Sequence, residues 1–350
     1  MKPPLVSIII PHYNGYSILK NCLDSVRRTE YPNFEIIVVD NASTDGSPEQ
    51  IKAHFPEIKL IRNERNLGFA GGVNVGISNS SADFVLLLNN DTEVESKWMG
   101  RMIRLFYGDE DIAACQPKIL SIQQRNMFDY SGAAGGLIDV YGFPFARGRI
   151  FDSIEEDGGQ YDTPERIFWA TGTACLIRKS CLDHVGGLDE HFFAHMEEID
   201  LDWRLQLAGY KIIFSPDSIV YHLSGATLSS RHYLKKFLNH RNSVLILLKN
   251  FSAETLFLVL PIRFLLEILA FFFSIISGDF KRAVAIVNSI LWILFHPALI
   301  LRKRARSQKL RRVPDRIIMG NMLKKSVALQ YFVLRKKSWK EISGLKNSSS

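Results

Sequence analysis

Four short strand-like runs, at residues 5–10, 35–39, 58–62 and 84–88, alternate with segments of helical spacing. The segment 17–28 places Ile18, Leu19, Cys22, Leu23 and Val26 on one helix face, and helical segments at 48–55, 71–78 and 97–107 follow the later runs. Strands separated by whole helices cannot pair as hairpins, so they lie parallel and are joined by right-handed crossovers. This restricts the chain to an α/β fold with a mostly parallel sheet. Such sheets place ligands beyond the carboxyl ends of their strands. The fourth run stops there as Leu86-Leu87-Leu88-Asn89-Asn90-Asp91-Thr92. One carboxylate flanked by amides suits a hard divalent cation that takes its other ligands from water and phosphate, although an Asn/Asp turn after a strand explains the same seven residues.

Charge divides the chain. Residues 231–350 carry 23 Lys and Arg against 5 Asp and Glu, whereas residues 1–230 carry 20 against 31. The basic balance therefore belongs to the tail, which argues against nucleic-acid binding by the first part and for an anionic surface as partner of the second. Cys22, Cys115, Cys175 and Cys181 lack metal-type spacing and read as core residues in a reducing compartment. The apolar run at 5–10 is too short for a signal-peptide core and stops at Pro11, which predicts a strand and no export.

Between residues 119 and 166 the pattern loosens into Gly-rich and acidic loops. A strand is expected over 168–178, a helix over 196–207 and short strands at 210–214 and 218–221; there is no internal repeat. After residue 241 the segments 244–249, 255–277 and 283–301 are strongly apolar. Pro261, Arg263 and Glu267 interrupt the second, Asn288, His296 and Pro297 the third, and Arg302, Lys303, Arg304, Arg306, Arg311 and Arg312 follow. Each long run approaches the ~20 residues that span a bilayer. The interruptions and the basic flank fit interfacial attachment to anionic lipid, with partial insertion or spanning and a soluble helical domain as the alternatives. Residues 346–350 read as disordered.

Three further segments carry polar chemistry. Ser7-Ile8-Ile9-Ile10-Pro11-His12-Tyr13-Asn14-Gly15 opens a strand into a loop. Ile37-Val38-Val39-Asp40-Asn41-Ala42-Ser43-Thr44-Asp45-Gly46-Ser47 ends a strand with groups able to bind a base edge or ribose, or to form an Asx turn. Asn66-Leu67-Gly68-Phe69-Ala70-Gly71-Gly72-Val73-Asn74-Val75-Gly76 puts glycines at a helix start, where backbone N–H groups can approach a diphosphate; it is neither a dinucleotide-fold fingerprint nor a P-loop.

In this order, with Leu88-Asn89-Asn90-Asp91 following, the chain resembles family 2 glycosyltransferases of the GT-A fold, in particular rhamnosyltransferase-like bacterial members, over about residues 5–245. The resemblance implies a Rossmann-like GT-A domain over 1–240; the apolar runs and basic cluster after it read as a helical, membrane-associating region over 241–345. The resemblance also implies a nucleoside-diphosphate sugar as donor and inverting transfer of a hexose or deoxyhexose such as rhamnose. Pro11, Tyr13, Asn14, Asp40, Asn41, Ser43, Asp45, Asn66, Gly71, Gly72, Asn74, Asn89, Asn90 and Asp91 would line the donor. Asn89 stands where many members carry Asp, so ligation of Mn2+ or Mg2+ falls on Asp91, joined by His222 of Tyr221-His222-Leu223-Ser224-Gly225-Ala226-Thr227.

On the acceptor side the resemblance implies Thr171 and Gly172 of Phe168-Trp169-Ala170-Thr171-Gly172-Thr173-Ala174-Cys175, with Asp189, Glu190 and Glu197. Glu197, Glu198, Asp200 and Asp202 crowd one helix start, where acids also satisfy the macrodipole and Asp200/Arg204 can pair. Members usually show Glu-Asp at 197–198, the second acid being the general base; Glu198 takes that place and Asp200 is the reserve. His191 and His195 read as structural, and so does His232 in the absence of a partner. Arg231, His232 and Lys235 can contact an acceptor phosphate or form a solvated helix face. The acceptor is expected to be lipid-linked or polysaccharide, in cell-surface glycan synthesis, with the enzyme at the cytoplasmic face of the membrane. A nucleotidyltransferase or sugar-nucleotide hydrolase using the same pocket, and a non-catalytic nucleotide-sugar-binding scaffold, are the competing functions.

Overall fold

The computed structural model describes residues 2–223 and 233–344. Ser224–Thr227 of the histidine motif, Arg231, His232 and the segment 346–350 lie outside the described residues. The chain runs β1 (Val6–His12), α1 (Tyr16–Val26), β2 (Phe34–Asp40), α2 (Ser47–His54), β3 (Lys59–Arg62), α3 (Gly68–Ser78), β4 (Phe84–Leu88), β5 (Thr92–Val94) and α4 (Trp98–Leu105). It continues through β6 (Ile112–Ser121), β7 (Gly136–Ile138), β8 (Pro144–Ala146), β9 (Arg149–Ile150), β10 (Ser153–Ile154), β11 (Glu165–Arg166), β12 (Ala174–Arg178), α5 (Lys179–Val185), α6 (Glu197–Leu207) and β13 (Lys211–His222). Four long helices follow: α7 (Tyr233–Asn250), α8 (Ala253–Ile276), α9 (Phe280–Phe295) and α10 (Pro297–Lys309).

The main sheet has nine strands in the order β11-β13-β6-β12-β4-β1-β2-β3, with β5 paired to β13. β3, β2, β1 and β4 are parallel, as are β6 and β13; β12 joins the two sets antiparallel. Both faces are covered. Ile8 and Ile10 pack with Leu19, Cys22 and Val26, whereas Ile9 packs with Val73 on the other face. Burial on both faces is why β1, β2 and β4 read as unbroken apolar runs rather than as alternation, whereas the edge strand β3 is half-exposed.

The second half departs from the sequence expectation. Residues 112–121 form a ten-residue strand, nearly all buried. Its polar residues disguise it: Gln116 Nε2 donates to Gly132 O at 3.0 Å and its Oε1 accepts from Thr171 N at 2.9 Å, while Lys118 pairs with Asp157 and Asp162. The expected loops over 119–166 contain a four-stranded antiparallel sheet, β10-β9-β8-β7. The expected strand over 168–178 is regular only from Ala174. The two strands expected at 210–214 and 218–221 are one, interrupted by an irregularity between Ser215 and Ile219.

The apolar run 283–301 breaks at Pro297 into α9 and α10, which are bent by 77°. Proline in the first turn of α10 can start a helix but cannot continue one. α7 runs unbroken across residue 240, so the two regions share a helix. α8 is the one helix among the described residues long and apolar enough to cross a membrane. Its mid-helix Arg263 is fully buried, pairing with Glu267 and donating to Ser243 Oγ on α7 and to Tyr141 O in the β7–β8 turn.

Candidate active site

The tips of β1, β2 and β4 bring the predicted donor residues together, with His12 in register with Asp40. Side chains tie the first two loops to one another. Asn14 N donates to Ser43 Oγ at 2.9 Å, Thr44 N donates to Asn14 Oδ1 at 2.9 Å, and Gly15 N donates to Asp45 Oδ2 at 2.6 Å. Burial opposes ionisation of Asp45, but the Ser47 hydroxyl and the backbone N–H groups around it bring its carboxyl down to about 2. Asp40 is fully buried and accepts from Ser43 N. Asn41 Nδ2 donates to Gly68 O at 3.2 Å, and its Oδ1 accepts from Asn63 at 2.8 Å. Asn14, Asn41, Ser43 and Asp45 therefore shape the cleft with their own side chains, while Tyr13 stands exposed at its lip.

The glycines of α3 serve packing first. A Cβ on Gly72 would lie 2.7 Å from Asn41 Nδ2, and one on Gly71 would lie 2.6 Å from Leu67 Cβ. Their missing side chains make room for neighbouring protein groups. Asn66 Oδ1 accepts from Gly68 N at 2.8 Å, closing the turn into the helix. Asn74, predicted at the donor, instead turns to the segment before α6, donating to Leu188 O at 2.9 Å and Glu190 Oε1 at 3.1 Å.

At the end of β4, Asn90 Nδ2 lies 2.9 Å from His12 Nδ1, and Asn89 is held through its backbone by Thr173 O and Thr92 Oγ1. Asp91 is buried, and His222 Nε2 approaches its Oδ1 at 3.2 Å, near enough for an ion pair but off the line of a hydrogen bond. His222 Nδ1 is 2.8 Å from Asp129 Oδ1. Burial alone would lower the imidazole, yet Asp129 and Asp91 together raise it to about 9. A histidine anchored through one nitrogen and facing a carboxylate with the other is the arrangement of an outer-sphere carboxylate orienting a metal ligand. The Asp91 oxygen that faces His222 without a hydrogen bond fits a divalent cation, which would displace the imidazole proton. No cluster of three or more His, Cys, Asp or Glu suited to a metal occurs among the described residues, so this pair leaves most positions to diphosphate and water.

The acidic segment is preceded by strained backbone. Phe193, His195 and Met196 have φ of 64°, 67° and 72°, values uncommon for residues with a Cβ. Such outliers cost about 1–3 kcal/mol each and persist only where surroundings enforce them. Here α7 does so. Asn242 Nδ2 donates to Phe192 O at 3.3 Å, Ala194 O at 3.1 Å and His195 O at 2.7 Å, and Arg241 Nη2 donates to His191 O at 2.8 Å. Glu197 and Glu198 follow, each with an Oε2 that is buried and has no hydrogen-bond partner among the described residues. Burial raises Glu198 to about 7; burial and the neighbouring Glu198 raise Glu197 well above the usual carboxylate range.

Asp200 faces a different environment. It is fully buried, with Lys249 Nζ at 2.8 Å, Arg204 Nε at 2.9 Å and Asn250 Nδ2 at 3.1 Å. Burial opposes its ionisation, but Lys249 and Arg204 prevail and hold its carboxyl below the usual range. Asp189 is fixed likewise by Lys249 at 2.6 Å and Lys303 at 2.5 Å. Both acids tie α6 and its preceding turn to α7 and α10. Thr171 N donates to Gln116, Thr173 N donates to Thr171 Oγ1 at 3.2 Å, and Gly172 packs against the Phe69 ring. Sequence reasoning left out His12, Asp129, Arg241, Asn242 and Lys249. His12 lay within a quoted motif; the others carry no local signal, because their partners lie 47 to 93 positions away.

Residues 7–186 match the family described as Glycosyl transferase family 2, and the chain belongs to that family. It is 27% identical over 223 residues to the N-acetylglucosaminyl-diphospho-decaprenol L-rhamnosyltransferase of Mycobacterium tuberculosis, covering 55% of this chain and 67% of the relative. Among solved structures, GalNAc-T7 with UDP, GalNAc and Mn2+ superposes with a TM-score of 0.58 at 20% identity, covering 73% of this chain and 49% of that one. The mannosyltransferase PcManGT of Pyrobaculum calidifontis, in complex with GDP-Man and Mn2+, gives 0.52 at 13% identity, covering 96% and 89%. These likenesses establish the GT-A fold. The chain spans as little as a quarter of the length of the curated relatives it matches.

Proposed function

We propose that the chain transfers a hexosyl or deoxyhexosyl unit, with inversion, from a nucleoside-diphosphate sugar to a lipid-linked or polysaccharide acceptor. The observation that carries this reading is Glu198: a buried carboxyl raised to about 7, with an unpartnered oxygen, at the end of a strained segment. A group titrating near neutral pH is suited to general-base work. The acceptor hydroxyl oxygen bonds to the anomeric carbon as the bond from that carbon to the diphosphate breaks. Glu198 takes the hydroxyl proton, and the nucleoside diphosphate leaves with the bonding pair. Asp200 is spent on Lys249 and Arg204, which favours Glu198 as base. Asp91 and His222 would hold a divalent cation, Mn2+ or Mg2+, which when bound supplies charge neutralisation for the leaving diphosphate. The rhamnosyltransferase relative supports a deoxyhexose and a prenyl-diphosphate-linked acceptor.

In the same proposal residues 1–240 form the transferase domain and 241–345 a membrane-associating region, α7 belonging to both. Phe257, Leu258, Phe272, Ile276, Leu294 and Phe295 are exposed on α8 and α9, an apolar face too large to be left to water. The basic residues of α10 lie next in the chain, as expected of attachment to the anionic cytoplasmic leaflet. Purified protein with Mn2+ and a panel of dTDP-, UDP- and GDP-sugars tests the activity. Acceptor-dependent release of nucleoside diphosphate supports the transferase. Acceptor-independent cleavage would instead indicate a hydrolase, and donor binding without turnover a scaffold.

A further inference from the structure

Most buried cations among the described residues have a partner. Lys118 has Asp157 and Asp162, Arg147 has Glu165, Lys249 has Asp189 and Asp200, Arg263 has Glu267, and Arg241 has backbone carbonyls. Arg149 is the exception. It is 8% exposed, its Nε is buried without a hydrogen-bond partner, and it makes no ion pair with any described residue. Its guanidinium lies 4.4 Å from the centroid of the Tyr130 ring. Lys235, in the first turn of α7, places Nζ 5.6 Å from the same centroid, and it too makes no hydrogen bond or ion pair among the described residues. His195, whose buried Nε2 is also unpartnered, lies close enough to Lys235 to feel its charge. Asp152 and Asp129 attract Arg149 from beyond ion-pair distance, and a buried guanidinium with no contacting counter-charge, beside the half-buried Lys235, is best explained by an anion that arrives from outside.

The surroundings indicate which anion. Tyr130 directly follows Asp129, which anchors His222 and attracts Arg149, so the cations border the donor-diphosphate floor of the proposed function. On the other side the start of α7 meets α9: Tyr233 accepts from Asn288 Nδ2 at 2.7 Å, and Lys236 pairs with Asp279. Along α9 the exposed Phe280, Val284, Val287 and Leu291 continue the apolar face. A ligand with a phosphate head and a hydrocarbon tail satisfies both neighbours at once.

We propose that Arg149 and Lys235, flanking Tyr130, form an anion subsite for the phosphoryl group of a prenyl-phosphate-type acceptor, whose chain runs toward α9. This rests on the reading that Asp91 and His222 hold the donor diphosphate. Arg supplies planar donors to phosphate oxygens and Lys a mobile point charge, and Tyr130 holds both cations in place through its ring face.

The test uses the full chain in detergent, with farnesyl diphosphate and farnesol as probes in EDTA, and UDP, dTDP and GDP with Mn2+ as donor-side probes. Farnesyl diphosphate is expected to bind metal-free protein at least tenfold more tightly than farnesol. Arg149→Met and Lys235→Met should each weaken farnesyl diphosphate at least tenfold while leaving farnesol and nucleotide binding unchanged. If Arg149→Met does not fold, Lys235→Met on the half-buried helix start carries the comparison alone. Equal affinity for farnesyl diphosphate and farnesol, or variants that keep wild-type affinity, would overturn the proposal. So would variants that weaken nucleotide with Mn2+ equally, because the cations would then belong to the donor. Inorganic diphosphate binding as tightly as farnesyl diphosphate would remove the lipid-linked assignment. Asp91→Asn separates the two readings: it should abolish nucleotide binding with Mn2+ and spare farnesyl diphosphate. If it spares both, the donor floor is misassigned while the anion subsite stands.

Discussion

Glu198→Gln should abolish transfer and stabilise the protein. Glu198 is shifted from 4.5 to about 7 because burial of its carboxyl outweighs the backbone hydrogen bonds at the helix start that favour the ionised form, and its Oε2 has no partner among the described residues. Moving a carboxyl that far costs the ionised form about 3 kcal/mol. The folded state holds the proton more tightly than the unfolded one, so this penalty is absent below the unfolded value near 4.5. It grows between 4.5 and about 7 and is complete above 7. Glutamine keeps the shape and cannot ionise. The variant should therefore match the wild type at pH 4 and exceed it by about 2–3 kcal/mol at pH 8, a rise of roughly a few degrees in Tm for a chain of this size. Urea unfolding of metal-free protein at the two pH values measures the difference. Wild-type kcat/KM should rise with pH through about 7, and the variant should lose ~10²–10⁴-fold of it. Full activity in Glu198→Gln refutes the base assignment; a loss of stability at pH 8 shows that the carboxylate is compensated and removes the reason for its shift.

Four further outcomes follow from the geometry. Asn242→Ala removes the donor to three carbonyls of the strained 192–195 segment, so it should lower kcat at least about tenfold with donor KM unchanged and cost ~1–3 kcal/mol, read from turnover and denaturant curves. Lys249→Met leaves Asp189 and Asp200 short of a shared cation and should destabilise by ~3–5 kcal/mol at pH 7. Both carboxyls are depressed, so that stabilisation is present above their unfolded values near 4 and fades as pH falls; the variant's deficit should shrink in acid. His222→Ala should lose Mn2+ binding in calorimetry, and unchanged affinity would dismiss it as a ligand. Phe257→Ser combined with Phe272→Ser and Ile276→Ser should release the protein from anionic phosphatidylglycerol vesicles in a sedimentation assay, persistence on the vesicles counting against the α8 face.

The parallel sheet was legible because β1, β2 and β4 are buried on both faces, and burial on both faces leaves continuous β-branched and leucine runs that only whole helices separate; the edge strand β3, half-exposed, was legible from its spacing after α2. The polar ends of those runs located Asp40, Asn41 and Asp91 for the same reason: where an apolar run stops, the strand leaves the core. β6 escaped notice because Gln116 and Lys118 are made buriable by Thr171, Asp157 and Asp162, residues far along the chain. The glycines at 71 and 72 were visible as a cluster, but a sequence does not say whether the space they leave is for a ligand or for Leu67 and Asn41.

The sequence by itself determined the sheet, the identity of the polar groups at its edge, and the contrast between an acidic first part and a basic, apolar second one. Those are local properties, set by period and composition. Only the tertiary structure decided the assignments among like groups. It gave Asp200 to Lys249 and Arg204 while leaving Glu198 without a cation among the described residues, brought Asp129 behind His222, clamped the strained turn with Arg241 and Asn242, and left Arg149 without an ion pair among the described residues. A carboxylate or a guanidinium is chemically the same wherever it stands in a chain; burial and the nearest opposite charge decide what it does, and both are set by residues tens of positions away.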